Sequence, residues 1–432
     1  MGSMSGSEAT MRFRVARVLD GDGRSVTPDA VVVVEDGRIV DIRPASTEPA
    51  DSVVPLGDAT LIPGLLDLHV HLNMRGDGRP IEDIQDVSDG VLALRSYAGA
   101  AAYLRSGVTT VLDLGSRNAT TLDLGTAIEE GTLVGPTVLS SGSPLTRTGG
   151  HMWLMNGEVD GADGIRKAVR ERSKAGASAI KLVATGGATR GTSWFQPSFT
   201  ADELRAAVDE AHALGLPVAA HCTSIAGLEQ AVRAGVDLLV HAFFYEPDGT
   251  YRFRPDLADA IAASGASVNP TLHTVESRIA EARRISSRRP LDTVERRQLE
   301  ADLRGLDERR EMASRLLDHE VPLVVGSDGG FTQVRHGIGT VREMKALAEV
   351  GLSPAQAIAA ATGNAAAVLR QPTDLGRVRP GAPADFVVLD GDPGRGLEAL
   401  DDVLVVVKAG RVVHRRDDRA AGVGGVGTGP GA

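Results

Sequence analysis

Six residues able to ligate a metal close short apolar runs, and that placement is the strongest chemical signal in the chain. The runs read Leu65-Leu66-Asp67-Leu68-His69-Val70-His71, Ala179-Ile180-Lys181, Pro217-Val218-Ala219-Ala220-His221, Asp237-Leu238-Leu239-Val240-His241 and Leu323-Val324-Val325-Gly326-Ser327-Asp328. His69 and His71 stand two apart, so on a strand both imidazoles point the same way and can reach one cation. Imidazole suits Zn, Fe, Ni or Cu far better than Mg or Ca. Lys181 ends an apolar run, where a bare ammonium is costly to bury. It could pair with a carboxylate, lose its charge, or be N-carboxylated into an anionic ligand that two nearby cations would stabilise. Asp328 could bind a metal and also carry a proton. Taken singly, each has a plainer reading as a structural histidine, a snorkelling lysine or a helix-capping aspartate. Their joint occurrence, in order, points to a two-metal centre suited to hydrolysis.

Apolar runs of this kind read as buried parallel strands. Ligands on the last residues of several such strands converge at one end of a barrel, where that fold keeps its chemistry. Strand candidates begin near Leu61, Val108, Thr137, Ala179, Pro217, Asp237, Ala266 and Pro322, with helical stretches between them. One helix opens at Thr200, a predicted N-cap whose capping box is completed by Glu203. Eight strand–helix alternations predict an α/β fold, a (β/α)8 TIM barrel over 61–374. An open doubly wound sheet is the competing architecture, but no Gly-rich dinucleotide fingerprint follows the first strand. Both chain ends are β-rich instead, with hairpin turns at Asp36-Gly37 and Ala409-Gly410. Residues 11–60 and 375–415 are expected to pack as one small β-sandwich domain built from both termini, with 1–10 and 416–432 disordered. The Arg- and Glu-dense residues 278–320 read as a long solvated helical hairpin in preference to a binding surface.

With 432 residues, 42% of them hydrophobic, the chain can fill a barrel and an appendage. A net charge of -11 argues against nucleic acid or an anionic membrane as partner. No apolar stretch reaches membrane-spanning length, and the start lacks a basic segment followed by an apolar one, so no signal peptide is expected. The single cysteine, Cys222, excludes an internal disulfide and a cysteine-rich metal site. These features together predict a cytoplasmic protein whose partner is a small molecule. A homo-oligomer is expected only by analogy with other large barrels.

Further motifs accompany the ligands: Gly107-Val108-Thr109-Thr110-Val111, Gly149-Gly150-His151, Ala361-Thr362-Gly363-Asn364-Ala365-Ala366 and Pro380-Gly381-Ala382-Pro383-Ala384-Asp385. With these the chain resembles the amidohydrolase superfamily over nearly its whole length, in the imidazolonepropionase-like and Xaa-Pro dipeptidase (prolidase)-like branch. The resemblance implies that His69, His71 and Asp328 hold one divalent ion, Zn foremost. It implies that His221 and His241 hold a second, with Lys181, carboxylated from CO2, bridging both. A hydroxide between the metals would be the nucleophile, and Asp328 would pass its proton to the leaving nitrogen. His151 resembles the branch's substrate-contacting histidine.

Arg147, Arg190, Tyr245 and His273 lie on strand-following loops and are candidates to bind a carboxylate. Trp153, Trp194, Phe195, Phe243, Phe244 and Tyr245 gather on the expected catalytic face and hint at a partly apolar substrate. The Gly- and Thr-rich stretch from Thr185 to Ser193 is a candidate lid. Thr223 stands where the branch often carries a second histidine, a departure that touches substrate recognition. The expected reaction is hydrolysis of an amide C–N bond in an N-acyl amino acid, a dipeptide or a cyclic amide. The same site would also serve lactone or phosphoester opening, decarboxylation or cyclisation. A catalytically dead scaffold is the reading from another class, and the complete ligand set weighs against it.

Overall fold

The computed structural model describes residues 10–47, 49, 54–370 and 374–416. The disorder expected for 1–10 and 416–432 therefore falls, apart from Thr10 and Arg416, outside the described residues. The chain is a mixed α/β protein with parallel sheets at its centre. Its strands are β1 (Met11–Leu19), β2 (Val26–Glu35), β3 (Arg38–Pro44), β4 (Val54–Pro55) and β5 (Ala59–Pro63), followed by β6 (Leu65–Val70), β7 (Val108–Asp113), β8 (Thr137–Ser140), β9 (Ile180–Val183), β10 (Val218–Cys222), β11 (Leu238–His241) and β12 (Ser267–Asn269). The C-terminal end adds β13 (Phe386–Asp390), β14 (Val403–Lys408) and β15 (Arg411–Arg415).

Both chain ends join one sheet in the order β15-β14-β13-β5-β1-β2-β3, with β4 beside β1. Two hairpins build it. Asp36 and Gly37 have φ of 47° and 76°, and Ala409 and Gly410 have 48° and 75°, the paired positive values a two-residue hairpin turn needs. Alternation buries Phe13, Val32, Ile39, Leu61, Phe386 and Val405 in one apolar cluster. There Phe13 meets Phe386 edge-on at 5.1 Å, welding the two ends of the chain. Leu61–Pro63, placed by the sequence reading at the start of the barrel, pair instead with β13 in this terminal sheet. The chain changes sheets at Gly64, where an added Cβ would fall 2.1 Å from the Thr109 hydroxyl oxygen. Only a residue without a side chain passes there.

The central strands form two parallel sheets, β6-β7-β8 and β9-β10-β11-β12. Isolated parallel pairings link their edges: Leu145 with Leu182, Val268 with Leu323, and Val70 with Gly329. The eighth expected strand, 322–329, is hydrogen-bonded on both sides without strand regularity. Val324 donates to the Val268 carbonyl at 2.9 Å, and Leu68 donates to the Val325 carbonyl at 3.0 Å. The segment turns at Asp328, whose φ is a positive 57°. Helices such as Ala162–Lys174, Ala201–Ala213 and Ile225–Ala234 separate the strands. At Thr200 the capping box is present in both directions. The apolar runs feed two cores by alternation: Ala179, Ala219 and Val324 join one cluster, while Ile180, Ala220 and Val325 pack into another with the helices.

Asp67 ties β6 to the eighth segment. Its buried carboxylate accepts the Ser327 N–H at 2.9 Å, the Thr340 hydroxyl at 2.6 Å and the His69 N–H at 3.2 Å. Burial raises its pKa, and these donors oppose the rise. Asp67→Ala leaves those donors without an acceptor and is expected to cost about 3 kcal/mol of stability, read from the urea unfolding midpoint. A loss under about 1 kcal/mol would show that β6 and the eighth segment are held together otherwise.

Candidate metal centre

Strand alternation carries two of the expected ligands to the site directly. Lys181 and His221 follow Ala179 and Ala219 by two residues and so share their side of the strand. The others arrive through local departures from regularity. The β6–β7 register shifts between Asp67 and Val70, just before His71. His241 has φ of 67° and Asp328 has φ of 57°, left-handed values that side-chain-bearing residues adopt at a cost. Strain of this kind is concentrated where a side chain must be aimed against its strand.

Around His69 the geometry settles which nitrogen carries the proton. The Asn269 amide nitrogen donates to the Gly326 carbonyl at 2.8 Å, so its oxygen faces His69 and accepts from Nδ1 at 3.2 Å. Nδ1 of His71 lies 3.1 Å from the Gly115 carbonyl, which can only accept. Both Nε2 atoms therefore present lone pairs. They lie 3.2 Å apart, and each is 3.4 Å from Oδ1 of Asp328. One ligand atom from each of the three residues falls within 4.8 Å of the other two. Converging acceptors in a buried site repel unless a cation sits among them, and this donor set fits a divalent transition metal. Burial, reinforced by Lys181 and His71, lowers the His69 pKa and keeps the ring neutral, as a ligand must be.

The second group is built in the same way. Nε2 of His221 donates to the Gly186 carbonyl at 3.0 Å, which leaves Nδ1 as its lone-pair nitrogen. Thr271 donates its hydroxyl to the Pro270 carbonyl at 2.8 Å and accepts from Nδ1 of His241 at 2.7 Å, leaving Nε2. The two rings are 4.7 Å apart, and His69 is 5.5 Å from His241. Burial lowers both pKa values well below the usual imidazole range. Lys181 is only 2% exposed. Burial pulls its ammonium down to about 8 against the pull of Asp328, and its Nζ makes no hydrogen bond or salt bridge among the described residues.

His151 sits in the loop after β8. Its Nδ1 lies 2.8 Å from the Thr189 hydroxyl oxygen and 3.3 Å from the Thr189 N–H, and that hydroxyl oxygen accepts the Met152 N–H at 2.9 Å. Nδ1 is thus the acceptor and Nε2 carries the hydrogen. Burial lowers the His151 pKa to about 3, so the ring is a neutral donor. Its close neighbour Gly187 leaves it room, since a Cβ there would come within 2.5 Å of the ring.

All six expected ligands and His151 line one pocket at this end of the strands. Met74, Met152, Trp194, Phe243 and Phe331 give it an apolar wall. The other expected contacts are not part of its lining. Tyr245 donates its hydroxyl to Glu308 at 2.6 Å, and the His273 backbone N–H is held by Glu343 at 2.8 Å. Arg147 and Arg190 are exposed. Of the six aromatic residues, only Trp194 and Phe243 reach the pocket, and Phe244 stacks on Phe253 at 4.7 Å.

The region read as a solvated hairpin is indeed two helices, Leu272–Ser286 and Thr293–Asp318. Its inner side is not solvated, because Arg278 and Arg309 join the pocket lining. A signal existed: Leu306, Arg309, Ala313 and Leu316 fall on one helical stripe, and all but the arginine are buried apolar residues. Asn269, Thr271 and Thr189, which orient the histidines, carried no comparable signal.

Parallel strands that carry buried imidazoles, a carboxylate and a lysine to one pocket define a metal-binding hydrolase site. The chain belongs to the amidohydrolase family, whose model matches residues 60–413. It is 26% identical to the ochratoxinase of Aspergillus niger over 92% of this chain and 83% of that one. It is 27% identical to the imidazolonepropionase of Salinispora tropica, over 84% of this chain and 86% of the relative. Among solved structures, a Xaa-Pro dipeptidase with methionine bound in its active site matches with a TM-score of 0.81 and 26% identity, covering 94% of this chain and 99% of the other. The protein is a hydrolytic enzyme acting on C–N bonds. Among the described residues, no helix is long and apolar enough to cross a membrane.

Asn269→Ala removes the group that fixes the His69 tautomer. Metal affinity is expected to fall about 10- to 100-fold with the fold intact, measured by competition against a chelator. An unchanged affinity would mean that the ring is oriented by something else.

Proposed function

We propose that the protein is a binuclear metal hydrolase that cleaves the amide C–N bond of an N-acyl amino acid, a dipeptide or a cyclic amide. The observation that carries this reading is the meeting of two imidazole lone pairs and a carboxylate in a buried pocket beside a lysine that makes no salt bridge among the described residues. His69, His71 and Asp328 would hold one ion, His221 and His241 a second, and Lys181, carboxylated by CO2, both. Divalent ions in such a site, Zn by the chemistry of the donors, lower the pKa of water toward ~7 and polarise a carbonyl.

The rest falls to the protein's own groups. Asp328 takes the proton released as water oxygen joins the carbonyl carbon, and gives it to the nitrogen as the C–N bond breaks. The products are a carboxylic acid and an amine. His151 offers its Nε2–H to the carbonyl oxygen as negative charge grows there. The apolar wall keeps bulk water out, which strengthens both interactions. We also read the eight parallel segments, from β6 to 322–329, as a closed (β/α)8 barrel, and the terminal sheet, which takes Leu61–Pro63, as a separate small domain. The edge-linking pairings support the closure. A cytoplasmic setting suits the lone, buried Cys222.

Elemental analysis of protein purified without chelator should find about two transition-metal ions per chain, with turnover of some N-acyl amino acid or dipeptide that chelation abolishes and zinc with bicarbonate restores. Lys181→Ala should lose the second ion and turnover while circular dichroism stays unchanged. Wild-type metal content and rate in that variant would sink the carboxylated-lysine bridge. His151→Ala should keep its metal and lose about 100- to 1000-fold in kcat, the worth of one such donor. Loss of metal instead would make His151 a ligand.

A further inference from the structure

The pocket wall holds an arginine that makes no salt bridge among the described residues. The two arms of the hairpin bring Arg278 and Arg309 there, and their situations differ. Arg278 is neutralised by Asp302, which accepts from its Nε and Nη2 at 2.7–3.2 Å. Arg309 makes no salt bridge among the described residues, and its buried Nε has no hydrogen-bond partner. Asp302, already bound to Arg278, and Asp328 act on Arg309 only through their charge, and the other carboxylates of the hairpin are committed elsewhere. Glu308 accepts the Tyr245 hydroxyl at 2.6 Å, while Glu276 and Glu349 accept from Arg310 at 2.7 and 2.6 Å.

What holds Arg309 in place is a ring. Its guanidinium carbon lies 3.9 Å from the centroid of Phe243, two residues beyond His241. Burial lowers its pKa only to about 10, so it stays charged at neutral pH. A desolvated guanidinium on an aromatic face, whose Nε lacks a hydrogen-bond partner among the described residues, suits a planar anion. The apolar groups beside it, Met74, Trp194 and Phe331, suit the side chain that such an anion would carry.

We propose that Arg309 receives a carboxylate borne by the substrate beside the scissile amide, so that the enzyme selects N-acyl amino acids or dipeptides over uncharged amides. This rests on the amide-hydrolase reading above. The step is binding alone, with no bond made or broken. Arg309 is a specificity residue, distinct from the groups that hold metal or move protons.

The test uses the metal-loaded protein with N-acetyl-L-phenylalanine and its uncharged carboxamide, followed by calorimetric binding and by hydrolysis. The acid should bind at least about tenfold more tightly than the amide, and Arg309→Gln should weaken the acid about 10- to 100-fold, leave the amide unchanged, and keep full metal content. In turnover the loss should fall on KM with kcat little changed. Arg309→Lys, which keeps the charge without the fork, should give an intermediate loss, and it carries the test if the glutamine variant misfolds. If the acid binds with this dependence on Arg309 but neither compound is hydrolysed, the subsite stands and the amide-hydrolase reading falls. Equal affinities in the wild type, no binding of either compound, or full-strength acid binding in a metal-replete Arg309→Gln variant would each overturn the proposal.

Discussion

Acceptor lone pairs that face one another in a buried pocket are the constraint around which this structure is organised. Nε2 of His69 and of His71 and Oδ1 of Asp328 lie within 3.4 Å of each other, an arrangement no chain would collapse into unaided. It persists because each group is fixed from behind. Asn269 and the Gly115 carbonyl hold the two rings, and the Asp328 N–H donates to the His69 carbonyl at 2.8 Å. Asp67 then binds the backbone on both sides of the contact, at His69 and at Ser327. The cost of holding like groups together is met by this shell, and a cation turns the repulsion into affinity.

The remaining architecture follows from placing that shell. Parallel strands run toward one end, where β6 and the residue after it supply His69 and His71, and β9, β10, β11 and the eighth segment supply one residue each. The terminal sheet packs elsewhere: Val387 lies against Gly107, just before β7, where a Cβ would come within 3.0 Å of the valine methyl carbon and the φ of 83° disfavours a side chain. The strand starts are thus backed by the welded chain ends, and the strand ends are left open for loops. Into that opening lean the aromatic wall and the inner side of the charged hairpin. The hairpin is polar outside and spends one stripe on the pocket, which is how an arginine comes to share a wall with histidines.

The neutral state of the histidines has a single physical origin. Burial disfavours imidazolium at His69, His221, His241 and His151, and the charge on Lys181 adds to it at each. Desolvation therefore does two jobs at once. It keeps ligand nitrogens available for metal, and it keeps the His151 Nε2–H a neutral donor. The same desolvation weakens the hold of Lys181 on its proton, which favours the amine form that reacts with CO2.

Period-two alternation and residue type made the strand set, the hairpin turns, the capping box at Thr200 and the candidate ligands readable from one chain. Those features are local: an apolar run, its last residue and a turn dipeptide lie within a few positions of one another. The family resemblance added their grouping into a site. What tertiary structure alone decided is which atoms face which. The proton on His69 is set by Asn269, 200 residues away, and the left-handed turns at His241 and Asp328 aim side chains that alternation would have sent elsewhere. Tyr245, expected at the substrate, is drawn off by Glu308, while Arg309, hidden in a charge-rich segment, faces the pocket instead. Pairings between distant segments depend on how strands and helices stack, and no local pattern encodes that stacking.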